Sequence, residues 1–246
     1  MANEVEQPID KLTQLIASWD EKNIALALQI ISSDKELMAL ANARFLPLLA
    51  LVNQTKLSGL ASFVADIVHL NLDANTNLPF DESLLPLFQQ LPCQGIYCHY
   101  EGINALPWWL FELRQLRFLD LNGVGISALP SAISQLENLE ALRAEQNSLE
   151  VLPDSIGELS QLQKLQLDFN KIKELPDSIG SLSQLNWLCL EGNPIEALPS
   201  TVLQLQKLRW LSVEKTPLGD RNDIQRGLWV TPQSEVLKKL VHKVKP

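Results

Sequence analysis

Leu-Pro recurs five times at an unvarying spacing of 23 residues: Leu106-Pro107, Leu129-Pro130, Leu152-Pro153, Leu175-Pro176 and Leu198-Pro199. A unit this short cannot enclose a hydrophobic core alone, so its copies must stack side by side into a solenoid. A solenoid presents a long, regular surface and seldom builds a catalytic pocket. The spacing alone therefore constrains both the architecture and the class of function.

The other positions of the period are as regular. One copy reads Leu136, Leu139, Leu142, Ala144, Asn147, Leu149, Leu152, Pro153, Ile156. The next reads Leu159, Leu162, Leu165, Leu167, Asn170, Ile172, Leu175, Pro176, Ile179, and a third runs from Leu182 through Asn193 to Val202. Apolar residues two apart, such as Leu165 and Leu167, point the same way from a strand, and Gln166 between them points the other way. Each proline ends the extended stretch, because it lacks a donor and restricts the residue before it. The apolar residue three positions later begins the return arm. Asn147, Asn170 and Asn193 fall in the turn after the strand, where an amide side chain satisfies backbone groups that would otherwise be buried unpaired.

This pattern, L-x-x-L-x-x-L-x-L-x-x-N-x-I-x-x-L-P-x-x-I, strongly resembles the leucine-rich repeat family. More narrowly, the chain resembles bacterial cytosolic members with a helical N-terminal part. The resemblance implies an α/β fold: a right-handed curved solenoid with a parallel sheet on its concave face, a helical N-terminal cap and a short C-terminal helix. Residues 113–218 should supply one short strand per repeat. The copy from Leu113 has Val124 at the asparagine slot and relies on Gly123 and Gly125; the copy before it, with Cys93, Ile96 and Cys98, has Glu101 there.

The ends read differently. Residues 1–56 are expected to be a helical cap, with Leu12, Leu15, Ile16 and Trp19 at helical spacing and Ser33 with Glu36 as a capping box. Residues 57–92 form a transition segment whose string Leu70-Asn71-Leu72-Asp73-Ala74-Asn75, then Leu78-Pro79, is a candidate cryptic copy two residues short. Residues 93–220 hold the repeats. Residues 221–246 form a C-terminal cap, its helix starting at Thr231-Pro232 and turning Val236, Leu237, Leu240, Val241 and Val244 to one face.

A net charge of −9 argues against a nucleic-acid partner, which needs a basic face. No apolar stretch can span a bilayer and no cleavable signal opens the chain. The 3 cysteines build no disulfide framework. Cytoplasmic residence is expected, or export by a route that leaves no cleavable signal. No phosphate-cradling loop, zinc-ligand spacing or nucleophile elbow occurs, so no catalytic residue, cofactor or metal is assigned. Cys189 should face solvent four strands from His99, too far for a thiolate–imidazole couple. An enzyme would have to be built around Tyr97, His99 and Asp120, and nothing recognisable supports one.

In the family the outward slots of the concave strands usually bind the partner. Here one row is Gly95, Phe118, Ala141, Lys164, Trp187, Trp210; the next is Tyr97, Asp120, Arg143, Gln166, Cys189, Ser212. A third runs His99, Asn122, Glu145, Asp168, Glu191, Glu214, and beside it Tyr100, Gly123, Gln146, Phe169, Gly192, Lys215. Trp187 and Trp210 should be neighbours with nothing of their own fold over them, as in interface hot spots. The carboxylates Glu145, Asp168, Glu191 and Glu214 form a row that the fold does not need, repelling by about 1 kcal/mol per neighbouring pair in water. Trp19, Trp108, Trp109 and Trp229 read as packing residues.

The expected function is non-catalytic binding of a protein or peptide carrying basic and apolar groups, through Tyr97, His99, Phe118, Asp120, Arg143, Glu145, Lys164, Asp168, Phe169, Trp187, Glu191, Trp210 and Glu214. The alternative is a carbohydrate-binding module that uses the concave aromatics. Oligomeric state does not follow from the sequence.

Overall fold

In the computed structural model the described residues are 94–99, 106, 108–221 and 227–241, the strand 67–71, and scattered positions between 11 and 35. The expected N-terminal cap falls mainly outside them; positions 26, 27, 29, 30 and 35 are helical and Ala27 is buried. Eight strands form one sheet in chain order: β1 (Ile67–Asn71), β2 (Gly95–His99), β3 (Phe118–Asp120), β4 (Ala141–Arg143), β5 (Lys164–Gln166), β6 (Trp187–Cys189), β7 (Trp210–Ser212) and β8 (Leu228–Trp229). The first seven are parallel, and β8 pairs antiparallel to β7.

The 23-residue period becomes register. Leu119, Leu142, Leu165, Leu188 and Leu211 are paired strand to strand and fully buried, so each strand's central side chain enters a common core. After each of β3 to β6 a Leu-Pro leads into a one-turn 3-10 helix: Ser131–Gln135, Asp154–Glu158, Asp177–Ser181 and Ser200–Gln204. The prolines lie at φ near −65 to −72° and extended ψ, and each carbonyl accepts the N–H three residues on, as that of Pro153 does from Ile156 at 3.0 Å. Ile133, Ile156, Ile179 and Val202 are thereby driven into the core from the opposite side.

The asparagines join one turn to the next. Asn170 accepts the Leu149 N–H at 3.0 Å and donates to the carbonyls of Ala144 and Leu167 at 2.8 and 2.9 Å. Asn193 repeats this with Ile172 and Leu167. Asn147 accepts from both Gly125 and Ile126, covering the copy whose own slot holds Val124. Buried backbone groups are satisfied by side chains because no ladder partner reaches these turns.

Three expectations change at the ends. Val68 and Leu70 pair with Ile96 and Cys98, so the strand in the string read as a cryptic copy lies two residues earlier than its leucines suggested. In that register Leu78-Pro79 stands eight residues after Leu70, the same offset as Leu175-Pro176 from Leu167. At the other end the helix does not begin at Pro232. Residues 232–233 form a turn, and α2 (Glu235–Leu240) starts behind Ser234, whose Oγ accepts the Leu237 N–H. Leu237 and Leu240 are buried but Val236 is exposed, and Val241 forms a parallel bridge to Leu198. The Thr-Pro start signal operates at Thr216-Pro217 instead. Buried Thr216 occupies the asparagine slot, and its Oγ1 accepts the Gly219 N–H at the start of α1 (Pro217–Arg221).

Candidate interaction surface

Alternation on each strand leaves two outward side chains flanking the buried leucine. Register then lines up Phe118, Ala141, Lys164, Trp187, Trp210 and, from β8, Trp229. Asp120, Arg143, Gln166, Cys189 and Ser212 line up beside them. His99 closes β2, opposite Asn71; its side chain lies outside the described residues. Tyr97 leans on Phe118 with ring centroids 4.9 Å apart and a 47° tilt, which makes an aromatic pair at the N-terminal end of the face.

The tryptophans are not bare, contrary to expectation. Trp187 and Trp210 stack at 4.9 Å and 19°, and Trp229 meets Trp210 edge-on at 5.1 Å. A Cβ on Gly227 would stand 2.1 Å from Trp210 Cζ2, so glycine backbone lies directly against that indole. Trp210 is thus closed in between Trp187 and the Gly227–Trp229 strap, leaving both Trp187 and Trp210 half-buried. Trp229, read as a packing residue, is 75% exposed, and Trp108 is 49% exposed. A strand slot fixes the direction of a side chain but not what a later segment lays over it.

Cys189 is likewise corrected. It points outward but retains 6% of its accessible surface, because the Trp187 indole covers it and donates Nε1–H to its sulfur at 2.9 Å. Burial first, then the Asp168 carboxylate, pushes its thiol up to about 12.

The charged slots form two separate groups. Arg143 bridges Asp120 Oδ2 at 3.2 Å and Glu145 Oε1 at 3.3 Å, and Gln166 Nε2 donates to Glu145 Oε1 at 3.0 Å. Lys215 pairs with Glu191 at 2.6 Å and stands 5.1 Å from the Phe169 ring. Lys164 is exposed on β5, and Glu214 is half-buried. The carboxylate row is not free of structural duty either. Asp168 Oδ1 accepts the Glu191 N–H at 2.7 Å, as Asn122 Oδ1 accepts that of Glu145 at 2.8 Å. Burial, opposed by that hydrogen bond and reinforced by Glu145 and Glu191, raises the Asp168 carboxyl to about 6.

Phe169 belongs to the turn beyond the strand, not to the strand. Its φ of 56° is shared by Gln146 at 56° and Lys215 at 52°, with Gly123 and Gly192 in the same row. The Phe169 ring lies across Gly192, where a Cβ would be 2.6 Å from Cδ1. Gly192 thus meets two demands at once, a left-handed backbone and room for a neighbour's ring. Sequence reasoning missed Asn122, Gly192 and Trp229. The signals available were an Asx residue 23 before a row carboxylate, a glycine beside an outward aromatic, and the β-prone run Gly227-Leu228-Trp229-Val230.

The register, the asparagine ladder and the one-sided leucine core define a leucine-rich-repeat solenoid. Residues 108–172 and 156–223 match a family described as leucine-rich repeat region, and this part of the chain is a leucine-rich-repeat region. It is similar to a leucine-rich-repeat protein of Leptospira interrogans, at 27% identity and a TM-score of 0.58, over 68% of this chain and 41% of that one. It also resembles the ectodomain of an Arabidopsis thaliana receptor kinase (28% identity, TM-score 0.46, 56% of this chain and 17% of that one). An internalin of Listeria monocytogenes gives 20% identity and a TM-score of 0.45, over 60% of this chain and 48% of that one. The chain thus spans less than half the length of each. No curated protein matches it. Among the described residues no helix is long and apolar enough to cross a membrane.

Proposed function

We propose that this chain is a non-catalytic interaction module that takes a segment of a partner protein or peptide on its outward sheet face. Leucine-rich-repeat proteins commonly serve as interaction scaffolds, and that gives the class. The observation that supports the face is its composition. Leucine fills the inward slots of β3–β7, whereas the outward slots of β2–β8 carry Tyr97, Phe118, Trp187 and Trp229 beside Asp120, Arg143 and Lys164, with Asp168 just past β5. Apolar rings next to directional charges are the usual make-up of an interface with hot spots.

Residues 93–220 are the body of this module and 221–246 its C-terminal cap, with 1–56 and 57–92 leading into it. Cytoplasmic residence belongs to the same reading. Carbohydrate binding is less well supported, because Tyr97, Phe118, Trp187 and Trp210 spend ring faces on one another.

Binding kinetics with the partner test the reading. Trp187→Ala is expected to weaken binding by about 2 kcal/mol or more, roughly thirtyfold. Asp168→Asn with Glu191→Gln should slow association, with an effect that fades as salt rises. The return-arm control Asp177→Asn should bind normally. Equal losses in the control and in Trp187→Ala would refute the face assignment.

A further inference from the structure

Strand β8 closes the sheet, and that task does not require its tryptophan. Leu228 packs on the core, Val230 is buried, and the Val230 N–H donates to the Arg209 carbonyl at 2.8 Å. Trp229 instead keeps three quarters of its surface in solvent and meets Trp210 edge-to-face at 5.1 Å. It extends the outward row Lys164, Trp187, Trp210 by one strand. Trp210, filled in from both sides, becomes the support, and Trp187 and Trp229 flank it about 10 Å apart across two strand spacings.

The charges beside this row are uneven. Arg143 serves Asp120 and Glu145, and Lys215 serves Glu191. Among the described residues no ion pair reaches Asp168 or Glu214, both half-buried. The neighbouring Glu145 and Glu191 carboxylates both oppose ionisation of Asp168. A cation brought to this end of the face relieves that field, and an anion adds to it.

We propose that the strap Gly227–Trp229 is part of the partner site, and that the occupant is an extended basic segment of a protein. Its apolar side chains lie against Trp187 and Trp229, and an arginine or lysine reaches across the Cys189–Ser212 row toward Asp168 and Glu214. This rests on the outward-face reading above and goes beyond it by assigning Trp229 and the chemistry of the occupant.

The test is selection of peptides from a displayed random library on the whole protein, followed by affinity measurements on the selected peptides. The expected peptides carry arginine or lysine next to apolar residues. Trp229→Ser should weaken them about tenfold with an unchanged melting temperature, since the side chain is mostly in solvent. Asp168→Asn should abolish the preference for arginine over glutamine at the basic position. If selected peptides lack basic residues, or bind Trp229→Ser as the native chain while Trp187→Ala loses them, this inference falls and the outward-face reading stands. If Trp187→Ala is also without effect, or no peptide is selected, both fall.

Discussion

The indole N–H of Trp187 points at the sulfur of Cys189, 2.9 Å away on the same strand. The two side chains share one face, so the larger one covers the smaller and holds it out of water. A thiol that titrates near 12 is almost wholly protonated at pH 8, and the thiolate is the reactive form. Cys189 in the native chain should therefore resist iodoacetamide at pH 8. Trp187→Ala should speed its alkylation at least about tenfold, read by mass mapping of the modified peptide. Unchanged protection would mean that something other than the indole shields the sulfur.

Asp168 makes stability depend on pH. Its carboxyl titrates near 6 in the fold against 3.8 for the ordinary group, so between those values the folded state holds a proton that the unfolded chain has released. Stability should fall as pH rises through that window and stay lower above it. The side chain is partly in solvent, so the effect is about 1 kcal/mol after allowing for screening. Asparagine keeps an oxygen for the Glu191 N–H and removes the charge. Asp168→Asn should gain about 1 kcal/mol at pH 7 and nothing at pH 4, measured by urea unfolding. A loss at pH 7 would show that the backbone hydrogen bond needs the carboxylate.

Asn170 bonds to one N–H and three carbonyls, all within two neighbouring turns. Asn170→Ala leaves buried backbone groups without partners and should cost roughly 1–3 kcal/mol. An unchanged denaturant midpoint would remove the ladder from the account of stability.

What was legible in the sequence is what the period enforces. The inward leucines, the asparagine slots and the outward rows follow from positions that recur every 23 residues, because each copy must meet its neighbour in the same way. The strap was not legible. Gly227 and Trp229 meet Trp210 only after the chain reverses to pair antiparallel, and no repeat specifies that reversal. The helix start is read at Thr231-Pro232, where an apolar stripe follows, and a second Thr-Pro pair, Thr216-Pro217, is not read as one. The other prevails because Thr216 is buried in the asparagine slot, where its hydroxyl can bond both the Val213 carbonyl and the Gly219 N–H. Asp168 likewise read as a surface charge, since spacing does not reveal that its oxygen takes the Glu191 N–H from the next copy.

The central claim is that the partner lies on the outward sheet face. A photo-crosslinking residue placed at Lys164, exposed on β5, should capture the partner from native lysate, while the same residue at Asp177 on the return arm should not. Trp187→Ala in the Lys164 variant should lower the captured yield. Capture at position 177 and none at 164 would contradict the claim and place the partner on the other side of the solenoid.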